Sequence, residues 1–391
     1  VTIAGTINTT NTQMDLGAVT LAAATTLDTG NAAAGVLNVG AVTSGTNALT
    51  LDSGSTAGAT IGLTSFADAT GGLTIRDAGG LATIGAVGSG TAGNVTITNS
   101  QAGVTFSSTV DAVTLLLTDT TGTVTVQGNL AATTLTTANA GYNVQFDEDA
   151  TITNDASFLN TGTVTLGSAN DDVLLFGGGI NTAGAGTNPS GTTLSGILRT
   201  SADQVDLGGV TLGANSVIDT TNNGGSAGGA AINVASVDAD NAGSNDRTLT
   251  LNSGTGGAIA VSGAIGATQA LAGLDVTNSN GATFSGAVTV NDGSGVLDLS
   301  DTEDNQDVTF GGDVSAVTLT TTANAYDLIF QENVTVTNDV TFAAIRNLDL
   351  GGATDDVATF TGGLDTTTNV TGTVTIAGTI NTTNTQMDLG A

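Results

Sequence analysis

The sequence predicts an all-β fold: a parallel β-solenoid, or β-helix, with about twenty residues per turn and a rod-like form. Three observations predict it. Short triplets of the form apolar-x-apolar recur every twenty residues, Gly, Asn and Asp are frequent between them, and long stretches of sequence are duplicated. The two-residue Asn-Gly and Asp-Gly turns that specify hairpins are nearly absent, so we expect the strands to run parallel.

Eighteen residues of sequence occur twice. Residues 1–18, VTIAGTINTTNTQMDLGA, return unchanged as residues 374–391, so the period is 373 residues. A weaker copy of the pattern begins near residue 192 and ends on Val205-Asp-Leu-Gly208. We therefore expect residues 1–191 to be solenoid module one, residues 192–373 to be module two, a diverged copy, and residues 374–391 to start the next identical super-repeat.

The triplets define the expected core. They are Val104-Thr-Phe106, Val124-Thr-Val126, Val144-Gln-Phe146 and Val164-Thr-Leu166 in module one, and Val288-Thr-Val290, Val308-Thr-Phe310, Leu328-Ile-Phe330 and Leu348-Asp-Leu350 in module two. Because side chains on a strand alternate between its faces, the outer residues of each triplet should point inward. Positions 106 to 166 and positions 290 to 350 should then stack as two dry apolar columns. At about twenty residues per turn, one period should contain roughly 19 turns.

Composition limits both the core and the partners. Aromatic residues make up 3% of the 391 residues and there are 57 glycines, so the core must be thin and built from small side chains. Thirty-five acidic residues face four arginines, and the net charge of −31 would repel nucleic acid and anionic membranes. Cations are the natural small partners. Cysteine is absent, which excludes disulfides and thiolate metal sites.

Paired carboxylates are the first candidate for chemistry. They occur as Asp171-Asp172 and Asp355-Asp356, and glycosidases use two carboxylates. The pair recurs at the same place in both modules, and the chain has no His, Lys or Cys to assist it. We therefore expect these residues to form a structural corner in which an aspartate caps backbone amides, and we expect no enzymatic activity.

Calcium is the second candidate. Residues 238–246 carry oxygen ligands at loop positions 1, 3 and 9 and a glycine at position 6, like a degenerate EF-type loop, and residues 301–307 form a further acidic cluster. The candidate Ca²⁺ ligands are Asp238, Asp240, Asp246, Asp301, Glu303, Asp304 and Asp307. Solvated acidic loops without bound metal are the alternative. No other cofactor is expected.

The sequence resembles the repetitive β-strand shafts of giant bacterial surface proteins, the filamentous-haemagglutinin-like adhesins and autotransporter passenger domains. The resemblance rests on Thr/Asn/Gly-rich turns such as Gly162-Thr-Val-Thr-Leu166 and Gly372-Thr-Val-Thr-Ile-Ala-Gly378. It implies secretion, an extracellular or cell-surface location, and a role in adhesion or as a fibre. It transfers no functional residues, because these turns carry no shared catalytic motif.

The expected function is therefore that of a structural repeat segment of a long extracellular filament or giant cell-surface adhesin shaft, without catalysis. Its expected partners are further copies of itself, as continuing repeats or end-to-end subunits, and cell-surface glycans. No apolar run approaches the roughly 20 residues of a membrane helix, so this segment should not insert into a membrane. Two alternatives stay open: a polysaccharide-binding or polysaccharide-cleaving β-helix, and a calcium-dependent surface-layer component.

Overall fold

The computed structural model shows an all-β parallel β-solenoid of about 16 turns with about 23 residues per turn, which confirms the predicted fold class. It describes residues 1–67, 69–88, 93–184, 189–240, 247–300, 302–322, 324–343, 345–367 and 369–389. Within these ranges there is no α-helix, and one 3₁₀ turn spans Ala69–Gly71. The chain divides into two compact units, unit 1 (Val1–Thr192) and unit 2 (Thr193–Ala391).

Unit 1 contains short strands rich in Val, Leu, Ile and Thr, the residue types that favour extended backbone. Its strands are β1 (Thr2–Asn8), β2 (Met14–Leu16), β3 (Val19–Asp28), β4 (Leu37–Thr43), β5 (Leu49–Gly54), β6 (Ile61–Ala67), β7 (Leu73–Ala78), β8 (Ala82–Val87), β9 (Gly93–Ser100), β10 (Val104–Phe106), β11 (Val110–Thr120), β12 (Gly122–Val126), β13 (Leu130–Thr137), β14 (Tyr142–Phe146), β15 (Ala150–Ile152), β16 (Ala156–Ser157), β17 (Thr163–Leu166), β18 (Val173–Phe176) and β19 (Ile180–Asn181). Strand β20 (Gly191–Arg199) contains the boundary between the units.

Unit 2 is built from strands of the same kind. They are β21 (Val205–Asp219), β22 (Ile232–Ala239), β23 (Thr248–Asn252), β24 (Ile259–Val261), β25 (Gly273–Asn278), β26 (Ala282–Phe284), β27 (Val288–Val290), β28 (Val296–Leu299), β29 (Asp307–Phe310), β30 (Val314–Ala316), β31 (Thr318–Thr321), β32 (Asp327–Phe330), β33 (Val334–Val336), β34 (Val340–Thr341), β35 (Leu348–Leu350), β36 (Val357–Phe360), β37 (Leu364–Asp365), β38 (Val374–Ile376), β39 (Thr379–Thr382) and β40 (Met387–Asp388).

Each turn pairs with the next at three places, so the coil has three faces. In unit 1, Val104 lies beside Val124 on the first face, and Val110 lies beside Leu130 on the second. Leu115 of β11 pairs with Leu135 of β13 on the third. The pairs are parallel and their side chains alternate between buried and exposed positions. The core therefore lies inside the coil, between the three faces.

The first predicted apolar column is confirmed. Phe106, Val126, Phe146 and Leu166 are register partners on four successive turns, and none is more than 1% exposed. The steps between them are twenty residues, as the triplets predict. Burial of each of these side chains contributes roughly 1.5–3 kcal/mol.

The second predicted column is wrong at its first member. Phe310, Phe330 and Leu350 stack as expected, but the residue stacked above Phe310 is Phe284, and Val290 pairs with Ala316 on another face. Phe284 and Phe310 are 26 residues apart, because the corners on either side of β28, residues 291–295 and 300–306, are longer than those on either side of β31, residue 317 and residues 322–326. The triplet at 288 to 290 therefore falls one face away from the place that a constant step of twenty assigns to it.

Longer corners also explain why the average turn is longer than the predicted twenty residues. Twenty residues is the length of the turns between Phe106 and Leu166, whereas the step from Val234 to Val261 is 27 residues. Longer corners raise the average to about 23 residues and lower the number of turns to about 16, below the roughly 19 expected. A corner outside the ladder accepts extra residues at small cost, since the loop-closure free energy rises only slowly with length.

Candidate functional site

A groove of about 680 Å³ in unit 1 crosses several turns. Its lining includes Gly40, Gly85, Asp15 and Asn38. A Cβ atom on Gly85 would lie 1.8 Å from the carbonyl oxygen of Thr64 on the preceding turn, so the glycine is needed for the turns to stack. The groove thus follows from close backbone stacking.

Asp15 is the one titratable side chain among the described residues that line this groove. Its carboxylate accepts hydrogen bonds from Gln13 Nε2 (2.6 Å) and from Asn38 Nδ2 (2.8 Å). These two bonds, that from Gln13 first, lower the pKa of Asp15. The two amide donors therefore favour the ionised form of the Asp15 carboxyl.

An aspartate column with one arginine lies at a corner of unit 1. Asp28, Asp52 and Asp77 are register partners on three successive turns. The Arg76 guanidinium forms an ion pair with Asp52 and lies 3.2 Å from Asp28 Oδ2. Burial and the charge of Asp52 raise the pKa of Asp77, while Arg76 and a hydrogen bond from Asn99 oppose this shift. The arginine stabilises a stack of carboxylates that would otherwise repel one another.

The aspartates of this corner also shape the backbone. Asp28 Oδ1 and Asp52 Oδ1 each accept the N–H of the glycine two residues later, both at 2.8 Å. The hydroxyl groups that follow them, on Thr29 and Ser53, are buried and donate to carbonyl oxygens of the corner at 3.0 and 2.7 Å. We call such a pair, an Asp or Asn followed by Ser or Thr, an Asx-hydroxyl dipeptide. Where the strand ends, its Asx side chain accepts one backbone N–H and its hydroxyl group donates to one backbone carbonyl oxygen.

Asx-hydroxyl dipeptides recur at the ends of strands in both units, and the sequence analysis did not identify them. Examples are Asp28-Thr29, Asp52-Ser53, Asn99-Ser100, Asn181-Thr182, Asp219-Thr220, Asn252-Ser253 and Asp365-Thr366. Their positions could have been predicted from the sequence, because the first residue of each dipeptide lies one or two residues after a buried apolar residue of its strand. The aspartates at these ends are structural, which accounts for part of the acidic excess.

The Asp171-Asp172 pair forms the corner that the sequence predicts. Asp172 is buried, and its Oδ2 accepts the backbone N–H groups of Ser168 (2.7 Å) and Ala169 (2.9 Å). In unit 2, Asp356 accepts the corresponding two N–H groups, both at 2.7 Å. The first aspartate of the pair is exposed, as Asp171 shows. Capping of backbone amides by the second aspartate is thereby confirmed.

Replacing Asp172 with alanine should lower the free energy of unfolding by about 1–3 kcal/mol, because two backbone N–H groups lose their acceptor. Asp171→Ala is the matched control. This exposed neighbour should change the stability by less than about 0.5 kcal/mol. Urea unfolding of both variants measures the difference, and equal effects of the two substitutions would contradict the capping role.

The first predicted calcium segment is partly engaged in other bonds. Asp238 Oδ1 accepts the backbone N–H of Thr268 at 2.8 Å. Both carboxylate oxygens of Asp240 bind the Arg247 guanidinium, at 2.9 and 3.0 Å. Asp246 lies outside the described residues. An ion at this place would have to compete with Arg247 for Asp240.

The second predicted calcium segment occupies the long corner between β28 and β29. Asp304 Oδ1 accepts the N–H of Ala325 (3.0 Å), and Asp307 lies 4.0 Å from the Arg346 guanidinium. Asp301 lies outside the described residues, and the remaining ligand is Glu303. Within the described ranges, no group of three or more Asp or Glu side chains could hold a metal ion. The calcium sites stay a prediction.

Calcium binding at these segments predicts a saturable rise of the melting temperature in Ca²⁺ relative to EDTA. The rise should disappear in Asp240→Asn combined with Glu303→Gln and should persist in Asp111→Asn, an exposed carboxylate far from both segments in sequence. Differential scanning calorimetry gives the measurement. Superimposable melting curves in Ca²⁺ and in EDTA would refute the prediction.

Comparisons with protein-family models, with curated proteins and with solved structures found no match to this chain. The described residues contain no helix with the length and hydrophobicity that a membrane crossing requires. What is established is therefore the fold, a parallel β-solenoid of about 16 turns.

Proposed function

We propose that this chain is a structural repeat segment of a long extracellular filament or of a giant cell-surface adhesin shaft, and that it acts without catalysis. The observation that carries the proposal is the in-register stacking of equivalent apolar residues over successive turns, as in the column from Phe106 to Leu166. Each turn needs only a neighbouring turn to bury its core, so a tandem array can be extended by adding turns. The unchanged recurrence of residues 1–18 at residues 374–391 indicates such an array.

Charge supports the same function. All four arginines form ion pairs with aspartates: Arg76 with Asp28 and Asp52, Arg199 with Asp219, Arg247 with Asp240, and Arg346 with Asp307 and Asp327. The remaining surface charge is negative throughout, which keeps neighbouring molecules soluble and separated. A shaft that must stay extended outside a cell gains from this repulsion. Further copies of the chain and cell-surface glycans are its proposed partners.

The aromatic residues favour a shaft over a polysaccharide-binding or polysaccharide-cleaving β-helix. All ten phenylalanines and both tyrosines are at most 2% exposed, and the chain has no tryptophan. Aromatic rings with one accessible face are a usual platform for flat apolar ligand surfaces. With every ring inside the coil, none is available to a sugar at the surface.

The proposal is tested with recombinant chains that contain one, two and three copies of the 373-residue period. Electron microscopy should show that the particle length grows by an equal increment with each added period, at a rise of about 4.8 Å per turn. Compact particles or unequal increments would refute the shaft. Binding of one-period chains to a glycan panel, removed by substitutions outside the corners, would instead support the polysaccharide-binding alternative.

A further inference from the structure

Two aspartates of unit 2 lie on top of one another in an outward-facing column. Asp275 of β25 and Asp298 of β28 are register partners on adjacent turns. Thr250 and Thr320 occupy the same column on the turns before and after them. The pair borders a cavity of about 290 Å³, whose lining includes Thr250, Asp275 and Asp298.

No opposite charge compensates this pair within its column. Asp275 and Asp298 are the only titratable side chains on strands β23, β25, β28 and β31. Beside β23, Arg247 is held by Asp240, and burial, then the charge of Asp298, raise the pKa of Tyr326. The column therefore differs from that of Asp28 and Asp52 in unit 1, where Arg76 lies between the carboxylates.

The two carboxyl groups have different surroundings. Asp298 Oδ1 accepts a hydrogen bond from the Thr320 hydroxyl at 2.8 Å. Asp275 Oδ1 is buried and has no hydrogen-bond partner among the described residues. Burial, and then the charge of Asp298, raise the pKa of Asp275 to about 6, although a hydrogen bond with Ser300 opposes this shift. Of the two, Asp275 is the group that gains from protonation.

We propose that Asp275 and Asp298 take up one proton between them under mildly acidic conditions, and that unit 2 is more stable with this proton than without it. The proton binds Asp275 and removes the repulsion between two carboxylates on paired strands, whose backbones lie about 4.8 Å apart. The pair is thus a pH-responsive element within the coil. This inference does not depend on the proposed shaft function.

The direction of the pH effect follows from the raised pKa of Asp275. A folded carboxyl that binds its proton more tightly than the unfolded one stabilises the fold fully below pH 3.8, and this stabilisation is lost as the pH rises through about 6. Asp327 behaves in the opposite way, because its hydrogen bond with Arg346 lowers its pKa. The stability that Asp327 contributes is lost only below pH 3.8, so the two effects occupy separate pH windows.

The test compares the full chain with Asp275→Asn and Asp298→Asn at pH 5.0 and 7.5, values chosen on either side of the titration of Asp275. Asparagine has the shape of the protonated acid, so each variant should melt about 3–5 °C higher than the parent at pH 7.5 and by a clearly smaller margin at pH 5.0, where the folded Asp275 carboxyl is largely protonated. Asp349→Asn is the matched control. Asp349 is also the central residue of an L-D-L strand, but its register partners are Ile329 and Thr375, which carry no charge.

Titration of the parent chain by NMR tests the proton uptake directly and does not require the other variants to fold. Carbon-13 NMR of the aspartate side-chain carboxyl groups in the parent chain should show one resonance that titrates near pH 6 and is lost in Asp275→Asn. Titration of every aspartate below pH 5, or equal gains in all three variants, would overturn the proposal. Stabilisation of the parent by Ca²⁺ at pH 7.5 that Asp275→Asn abolishes would also overturn it, because the pair would then bind a cation in place of a proton.

Discussion

Replacing Phe330 with aspartate should lower the free energy of unfolding of unit 2 by more than about 4 kcal/mol. Removing a buried phenylalanine side chain alone costs about 3–5 kcal/mol, and a buried carboxylate without a partner adds to this. Phe330 is 1% exposed, and its ring stacks on that of Phe310 with centroids 5.1 Å apart. Phe310 in turn stacks on Phe284 at 5.0 Å, so the charge would enter the end of a three-ring column.

Urea unfolding and limited proteolysis measure this effect. The matched control is Thr309→Asp, since Thr309 lies in the outward row next to Phe310 and its register partners, Thr283 and Ile329, are uncharged. We expect the control to change the stability by less than about 0.5 kcal/mol. Unchanged melting and protease resistance in Phe330→Asp would show that the stacked rings do not hold the turns together.

Replacing Gly85 with alanine should destabilise unit 1 by about 2–3 kcal/mol, because the new methyl group collides with backbone. The Cβ atom would lie 1.8 Å from the carbonyl oxygen of Thr64, and neither turn can move without breaking its own ladder hydrogen bonds. Equilibrium denaturation in urea gives the change. We expect the loss to appear in the transition of unit 1.

Gly17→Ala is the control for this substitution. Gly17 occupies the same position on an earlier turn. The residue before it, Leu16, and the residue before Gly85, Ile84, lie in one column, because Leu16 pairs with Val39, Val39 with Leu63, and Leu63 with Ile84. A Cβ atom on Gly17 would meet nothing within 4 Å. Alanine there should be neutral or should stabilise by a few tenths of a kcal/mol. Equal losses at the two positions would show that steric contact between turns is not the cause.

The sequence predicted the fold class and the column from Phe106 to Leu166 because both depend on local alternation. Outer residues of a triplet point inward wherever the strand is extended, and a constant step of twenty residues brings them into register. The capping role of Asp172 was predictable for a similar reason. A short side chain next to a turn binds the backbone amides that are nearest in sequence.

The sequence did not predict which residues meet across turns of unequal length. The turn from Phe284 to Phe310 has six residues more than the turn from Phe310 to Phe330, so Phe284 and not Val290 stacks on Phe310, and no spacing rule shows where an insertion is absorbed. The stacking of Asp275 on Asp298 was missed for the same reason, since these residues are 23 positions apart. The ion pair between Arg76 and Asp28, which lies two turns earlier, was likewise not predicted from spacing.

The duplicated stretch, residues 1–18 and 374–391, shows what the sequence determines without its tertiary surroundings. Sequence alone determined its local conformation: Thr9 donates its hydroxyl hydrogen to the Thr12 carbonyl, its copy Thr382 repeats the bond, and the asparagine between has a positive φ both times.

Tertiary structure alone decided which face a triplet occupies. Residues 104–106 and 288–290 share the apolar-x-apolar pattern, but Phe106 pairs with Val126 in the first apolar column, whereas Val290 pairs with Ala316 and lies outside the column of Phe284 and Phe310. The physical reason is that these hydrogen bonds within a corner join residues two to six positions apart, so a short segment of sequence contains both partners. Ladder bonds and apolar contacts join residues of neighbouring turns, and their register depends on the length of every corner in between.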